Sequence, residues 1–128
     1  MTDEWTAAKF GLKAAPGFAL ENCDGQSIAV LKISGVHLNP SGVVHGAVPF
    51  TMMDTAIGGA IVITTDNDRR FATIEMQTRY HRLVATGTLT ATAEVITAGR
   101  RVVHLRAGTR DDDDRLVASA AASFAVFE

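Results

Sequence analysis

The sequence predicts an α+β domain in which a long central apolar helix is wrapped by a curved antiparallel β-sheet. Three observations lead there. Residues 46–63, GAVPFTMMDTAIGGAIVI, hold a single charge in eighteen positions, and a helix apolar on nearly all sides must be covered nearly all round. Thr88 to Thr97 alternates with period two, Leu89, Ala91, Ala93 and Val95 on one face and Thr88, Thr90, Thr92 and Glu94 on the other. That is the pattern of a half-buried strand. Strand-like segments joined by short turns lie on both sides of the helix, and such connections make antiparallel neighbours. One sheet has one concave face, so the far side of the helix calls for a second subunit.

The elements follow in order. Within the N-terminal segment 1–14, Thr2 caps a short helix over residues 2–13, with Asp3 and Glu4 in its first turn. Pro16-Gly17 ends it. Phe18 to Asn22 and Ser27 to Ile33 read as strands joined at Asp24-Gly25, a hairpin signal. Ser34 to His45 is irregular, holding Gly35, Asn39-Pro40 and Ser41-Gly42. The apolar helix spans about Ala47 to Thr64, and Asp66-Asn67-Asp68 forms a loop. Phe71 to His81, Thr88 to Thr97, Val102 to Thr109 and Leu116 to Phe127 then read as strands. Joined in sequence, with turns at Ala98-Gly99-Arg100 and at Asp111 to Asp114, these consecutive strands are expected to form an antiparallel meander.

Composition narrows the function. A chain of 128 residues without linker, repeat or low-complexity tract is one domain. Hydrophobic residues at 47% and charged residues at 20% describe a folded chain. A net charge of −2 opposes nucleic-acid binding by bulk charge. The one cysteine, Cys23, excludes an intrachain disulfide and a cysteine-rich zinc site, and makes the reducing cytoplasm the default compartment. Met1 to Phe10 has no apolar core of signal-peptide length. The helix is long enough to span a membrane. Asp54 at its centre opposes that at a cost of about 2.5–3.5 kcal/mol, as do Pro49 and Gly58-Gly59. The expectation is a buried helix and no membrane.

Three features carry candidate chemistry. Asp54 lies among Phe50, Met52, Met53, Ala56 and Ile57. Burial there raises a carboxyl pKa, which suits a general base or acid. The same residue reads equally as a structural aspartate bonded to a strand. His45-Gly46 precedes the helix, where free N–H groups favour negative charge, and Gly46 lets a carbonyl come close to its N–H. Such a donor stabilises an oxyanion; a plain loop-to-helix junction is the alternative. Asn39, taken alone, reads as a turn residue.

Together these residues resemble a family. The run HLNPSGVVHGAVPFTMMDTAIGGA is similar to the signature of hotdog-fold acyl-CoA thioesterases of the phenylacetate-pathway (PaaI) type, here as Asn39, Gly42, His45, Gly46 and Asp54. The strands from Ala72 onward resemble the family too. Ala47 departs from it, standing where a second glycine is usual. The resemblance implies a hotdog fold and an acyl-CoA substrate with no cofactor. It implies that Gly46 N–H polarises the thioester carbonyl and that Asp54 activates water or attacks directly. It places Asn39 and His45 at the reacting centre and matches Thr73 to a residue that orients water. Thr73 shares a strand face with Glu75 and Gln77 by simple alternation, and alternation alone does not say which face meets the helix. Two further readings remain: a hotdog hydroxyacyl dehydratase, whose motifs around the helix this chain lacks, and a non-catalytic acyl-CoA-binding module.

Geometry adds an independent point. Gly46 and Asp54 are eight residues apart, about 12 Å along one helix. A reacting carbon sits about 3–3.5 Å from its nucleophile. Two helices packed antiparallel across a two-fold axis bring Gly46 of one to Asp54 of the other, making a homodimer the smallest active unit. The resemblance adds a homotetramer. Gly58 and Gly59 permit close approach there or against the sheet.

All nine arginines lie between Arg69 and Arg115. Arg79, His81, Arg82, Arg100 and Arg101 are candidates for the phosphates of coenzyme A, which arginine binds well. Asp111 to Asp114 reads as an exposed turn and His104 as a strand residue, so no metal site is expected.

Overall fold

The computed structural model describes residues 19–23, 26–64 and 70–127. The expected N-terminal helix over 2–13, the turn at Asp24-Gly25 and the loop at Asp66 to Asp68 lie outside the described residues. Two strands come first, β1 (Ala19–Cys23) and β2 (Gln26–Lys32). A short 3-10 turn (Gly35–His37) leads to the helix α1 (Ala47–Thr64). Four strands follow: β3 (Arg70–Tyr80), β4 (Thr88–Ala98), β5 (Val102–Arg110) and β6 (Leu116–Phe127). All pairings are antiparallel, and the sheet order is β1-β2-β4-β5-β6-β3. The sheet curls around one long helix, as a hotdog fold does.

The order corrects the expected meander in one place. β3 does not pair with β4; it crosses to the far edge and pairs with β6. The link between them, HRLVATG over residues 81–87, carries no tight-turn signal until Gly87. Its seven residues reach up to about 23 Å when extended, enough to pass over two intervening strands spaced at about 4.8 Å. The link is fastened on the way: Val44 N–H donates to the Val84 carbonyl at 2.8 Å and Ile33 N–H to the Gly87 carbonyl at 2.9 Å.

The core forms where α1 meets the concave face. Met52, Met53, Ile57 and Ile61 are buried with Leu31 of β2, Leu89 of β4, Val103 and Leu105 of β5 and Phe124 of β6. Each such side chain contributes about 1.5–3 kcal/mol when removed from water. The apolar helix is therefore the core helix of the domain. It starts beside Tyr80 of β3 and reaches β2 near its end, where Gly59 lies against Ser27 with Leu20 of β1 nearby. One stripe of α1 stays partly open: Ala47, Phe50, Thr51 and Asp54, at the i, i+3, i+4, i+7 spacing of one helix face. β3 is open as well. Its outer edge has no partner strand among the described residues, and most of its side chains are exposed on both faces.

Candidate active site

The site is built on the loop that delivers the chain into α1. Asn39 organises that loop. Its side-chain oxygen accepts the Ser41 N–H at 2.9 Å and the Val43 N–H at 3.3 Å. Gly42, at φ 80°, completes the turn by donating to the Asn39 carbonyl. The position needs the left-handed freedom of glycine. His37, buried on the 3-10 turn, accepts the His45 N–H on its carbonyl at 2.9 Å. The loop is thus pinned before and after the sharp turn.

The first helical N–H groups can be counted one by one, because a helix start leaves several without partners. Ala47 N–H donates to His45 Nδ1 at 3.0 Å. Val48 N–H donates to the His45 carbonyl at 2.9 Å, and Phe50 N–H to the Gly46 carbonyl at 3.3 Å. Pro49 has no N–H. That leaves Gly46, whose N–H has no acceptor among the described residues. A neutral imidazole that accepts at Nδ1 carries its proton on Nε2, so the exposed His45 keeps an N–H donor there.

Asp54 lies two turns further on, half-buried, on the open stripe of α1. Its carboxylate has no hydrogen-bond or ion-pair partner among the described residues. Burial pushes its pKa above the usual carboxylate value.

β3 resolves the parity of Thr73. Thr73 pairs with Phe124 of β6, and Glu75 pairs with Ser123, with the register shifting between them at Ile74. A bulge of this kind changes which face the following residues take. Phe124, Ala122, Ala120 and Ala118 are buried toward the helix, so their partners Thr73, Met76, Thr78 and Tyr80 share the inner face. Glu75, Gln77 and Arg79 take the outer face. The simple alternation that grouped Thr73 with Glu75 and Gln77 is corrected by that one extra residue.

The basic candidates fall into two groups. Arg79, His81 and Arg82 lie at the end of β3 that adjoins the helix start, all exposed. His81 Nε2 is 2.7 Å from Ser119 Oγ, and the His81 N–H donates to the Val117 carbonyl. Arg100 and Arg101 lie in the β4–β5 turn, where the Arg101 carbonyl accepts the Val126 N–H. Val117 and Val126 are nine residues apart on β6, about 30 Å. One chain does not bring the two groups together. The turn at Asp111 to Asp114 is internally bonded: the Arg115 backbone N–H donates to Asp111, holding its carboxyl below the usual range.

Comparison with known proteins supplies the family. The sequence profile of the thioesterase superfamily matches residues 41–118. The chain belongs to the thioesterase superfamily. It is 30% identical to a conserved protein of Pseudomonas aeruginosa, covering 99% of this chain and 100% of that one at a TM-score of 0.88. A Haemophilus influenzae thioesterase shares the fold at 18% identity, with 96% and 91% of the two chains covered and a TM-score of 0.84. The phenylacetic acid degradation protein PaaI of Thermus thermophilus shares it at 19% identity, with 90% and 97% covered and a TM-score of 0.80. No curated protein matched. The match begins at the turn before His45 and ends in β6, so it contains Gly46, Asp54, Thr73 and Tyr80.

Tyr80 escaped the sequence reading. Its hydroxyl donates to the Gly46 carbonyl at 2.7 Å. Its ring lies against the Gly46 α-carbon, so that a side chain there would meet Tyr80 Cζ at 3.2 Å. The two residues are 34 apart in sequence, and the only signal was a single tyrosine at the end of a strand.

Proposed function

We propose that this thioesterase-superfamily chain hydrolyses the thioester of an aromatic or medium-chain acyl-CoA to free acid and coenzyme A. The observation that carries the reading is a pair of groups unpartnered among the described residues, the Gly46 N–H just before α1 and the Asp54 carboxylate two turns into it. A free N–H at a helix start favours the negative oxygen that develops when the thioester carbonyl is attacked. A carboxylate raised in pKa by burial suits proton abstraction from water. Water oxygen bonds to the acyl carbon and its proton passes to Asp54. The C–S bond then breaks with its electron pair on sulfur, which leaves as the thiol after taking up a proton. In the nucleophilic version Asp54 itself attacks, the thiolate leaves, and water opens the mixed anhydride. His45 and Asn39 line the reacting centre, and Thr73 orients water. Water is the only co-reactant, and no cofactor is required.

The smallest active unit in this proposal is a homodimer, and two dimers make the tetramer. Gly46 and Asp54 of one chain are about 12 Å apart along the helix, too far for one thioester. The open stripe Ala47, Phe50, Thr51 and Asp54 and the free edge of β3 both support a second copy there. Antiparallel pairing of two β3 edges brings the Thr73 end of one strand beside the Tyr80 end of the other. The same pairing carries the Arg100-Arg101 turn of one chain toward Arg79, His81 and Arg82 of the other. Coenzyme A phosphates are then held by basic residues of both chains.

The test is a panel of acyl-CoAs with free thiol as the readout. Thiol release well above the uncatalysed rate supports the proposal. Tight binding without turnover across the panel sinks it in favour of a binding module.

A further inference from the structure

The helix start is held by a residue 34 positions later in the chain. Tyr80 is more than half exposed, at 54%, yet its hydroxyl is engaged at 2.7 Å with the Gly46 carbonyl. The Gly46 carbonyl accepts twice, from Tyr80 and from Phe50 N–H. On the other side, the His45 N–H is tied to the His37 carbonyl and the His45 carbonyl to Val48 N–H. The two peptides that flank the Gly46 α-carbon are therefore fixed at every polar atom except the Gly46 N–H. Tyr80 supplies the one tie that comes from the sheet, besides covering the α-carbon with its ring.

We infer that Tyr80 is a positioning residue for the Gly46 N–H. It clamps the Gly46 carbonyl in the peptide after the α-carbon and fills the space beside that carbon, which limits rotation of the preceding peptide and holds the Gly46 N–H in one orientation. The Tyr80 ring also leaves tight room for a side chain at position 46, which would meet Tyr80 Cζ at 3.2 Å. The inference rests on the proposed role of Gly46 and extends it to a residue on the edge strand. Oxyanion donors act because their orientation is fixed before the charge develops. A donor free to rotate loses part of that effect. Burial raises the Tyr80 pKa, so the hydroxyl keeps its proton and stays a donor through neutral and mildly alkaline pH.

The test is Tyr80→Phe, with two readouts. The first is thioester hydrolysis on the acyl-CoA that the wild type turns over fastest. Loss of an oxyanion donor costs about 10²–10³ in kcat; loosening one should cost about tenfold. KM should stay within about twofold and the melting temperature within about 3 °C. A tyrosine that merely stabilised the fold would lower the melting temperature and leave kcat alone. The second readout is the Gly46 backbone amide signal by nuclear magnetic resonance, which needs no activity. It should shift and exchange faster with solvent in Tyr80→Phe. An unshifted Gly46 amide, or an unchanged kcat in a folded Tyr80→Phe protein, overturns the inference. Should the wild type hydrolyse no acyl-CoA, the thioesterase proposal fails by itself, and the amide signal alone decides whether Tyr80 holds Gly46. Gly46→Ala supplies a check on the ring: it should lower the melting temperature more in the wild type than in a Tyr80→Leu background, and equal losses contradict the ring's part in the inference.

Discussion

Gly46 and Asp54 stand at the two ends of a two-turn stretch of one helix, and neither the Gly46 N–H nor the Asp54 carboxylate has a partner among the described residues. Every other N–H at the helix start is occupied or absent. Polar groups withdrawn from water are ordinarily paired, so the unpaired Gly46 N–H before the helix and the unpaired, half-buried Asp54 carboxylate on its open stripe are the two groups on which the proposed chemistry rests.

Asp54→Asn should lower kcat by at least about 10²-fold, the scale for losing a positioned base. The amide is close in size but takes no proton. The same substitution should raise stability at neutral pH. Burial lifts the folded-state pKa of Asp54 above its unfolded value, so between the two values the folded chain binds more protons than the unfolded one. Stability then falls as pH rises from the unfolded pKa through the folded one, and the loss persists above it. Melting curves against pH should show the variant above wild type at pH 7, with the gap closing as pH falls toward about 4 and absent below it. A gap that widens in acid would give Asp54 a favourable partner that the geometry lacks.

The bulge at Ile74 makes a prediction that alternation alone would reverse. Thr73→Val should reduce turnover by about tenfold through a misplaced water. Gln77→Ala, two positions past Glu75 on the outer face, should leave turnover unchanged. Equal losses in both would mean that the strand's faces do not divide at the bulge.

Gly59 tests packing rather than chemistry. A side chain there would press on Ser27, whose buried hydroxyl has no hydrogen-bond partner among the described residues. Gly59→Ala should cost about 1–2 kcal/mol by overpacking, even though alanine gains about 1 kcal/mol in helix propensity. In a Ser27→Ala background that cost should largely vanish, as a double-mutant cycle in denaturant would measure. Full cost in both backgrounds would place the strain elsewhere.

Much of the fold was legible because its signals are local. The period-two strand at Thr88 to Thr97 and the apolar helix at Ala47 to Thr64, interrupted by the single charge of Asp54, appear where expected. The place of β3 was not legible, because pairing with β6 rather than β4 depends on contacts 38 to 57 residues away in sequence, such as Tyr80 with Ala118 and Arg70 with Phe127. The bulge was hidden because Ile74 looks like any other β-branched strand residue. Within the site, Asp54 and Gly46 stood out by their types in an apolar run. Asn39 gave only a turn signal, and its side-chain oxygen is indeed engaged with loop N–H groups. Tyr80 was invisible because its role lies in a contact that only the folded chain creates.

The central claim is that each site takes Gly46 from one chain and Asp54 from another, and subunit mixing tests it directly. Asp54→Asn and Gly46→Val chains, each inactive alone, are mixed and allowed to exchange. A mixed dimer contains one site with both defects and one with an intact Gly46 facing an intact Asp54. Random exchange makes half the dimers mixed, so activity should return to about a quarter of wild type. No recovery after proven exchange would mean that each chain builds its own site, and the shared-site account would be wrong.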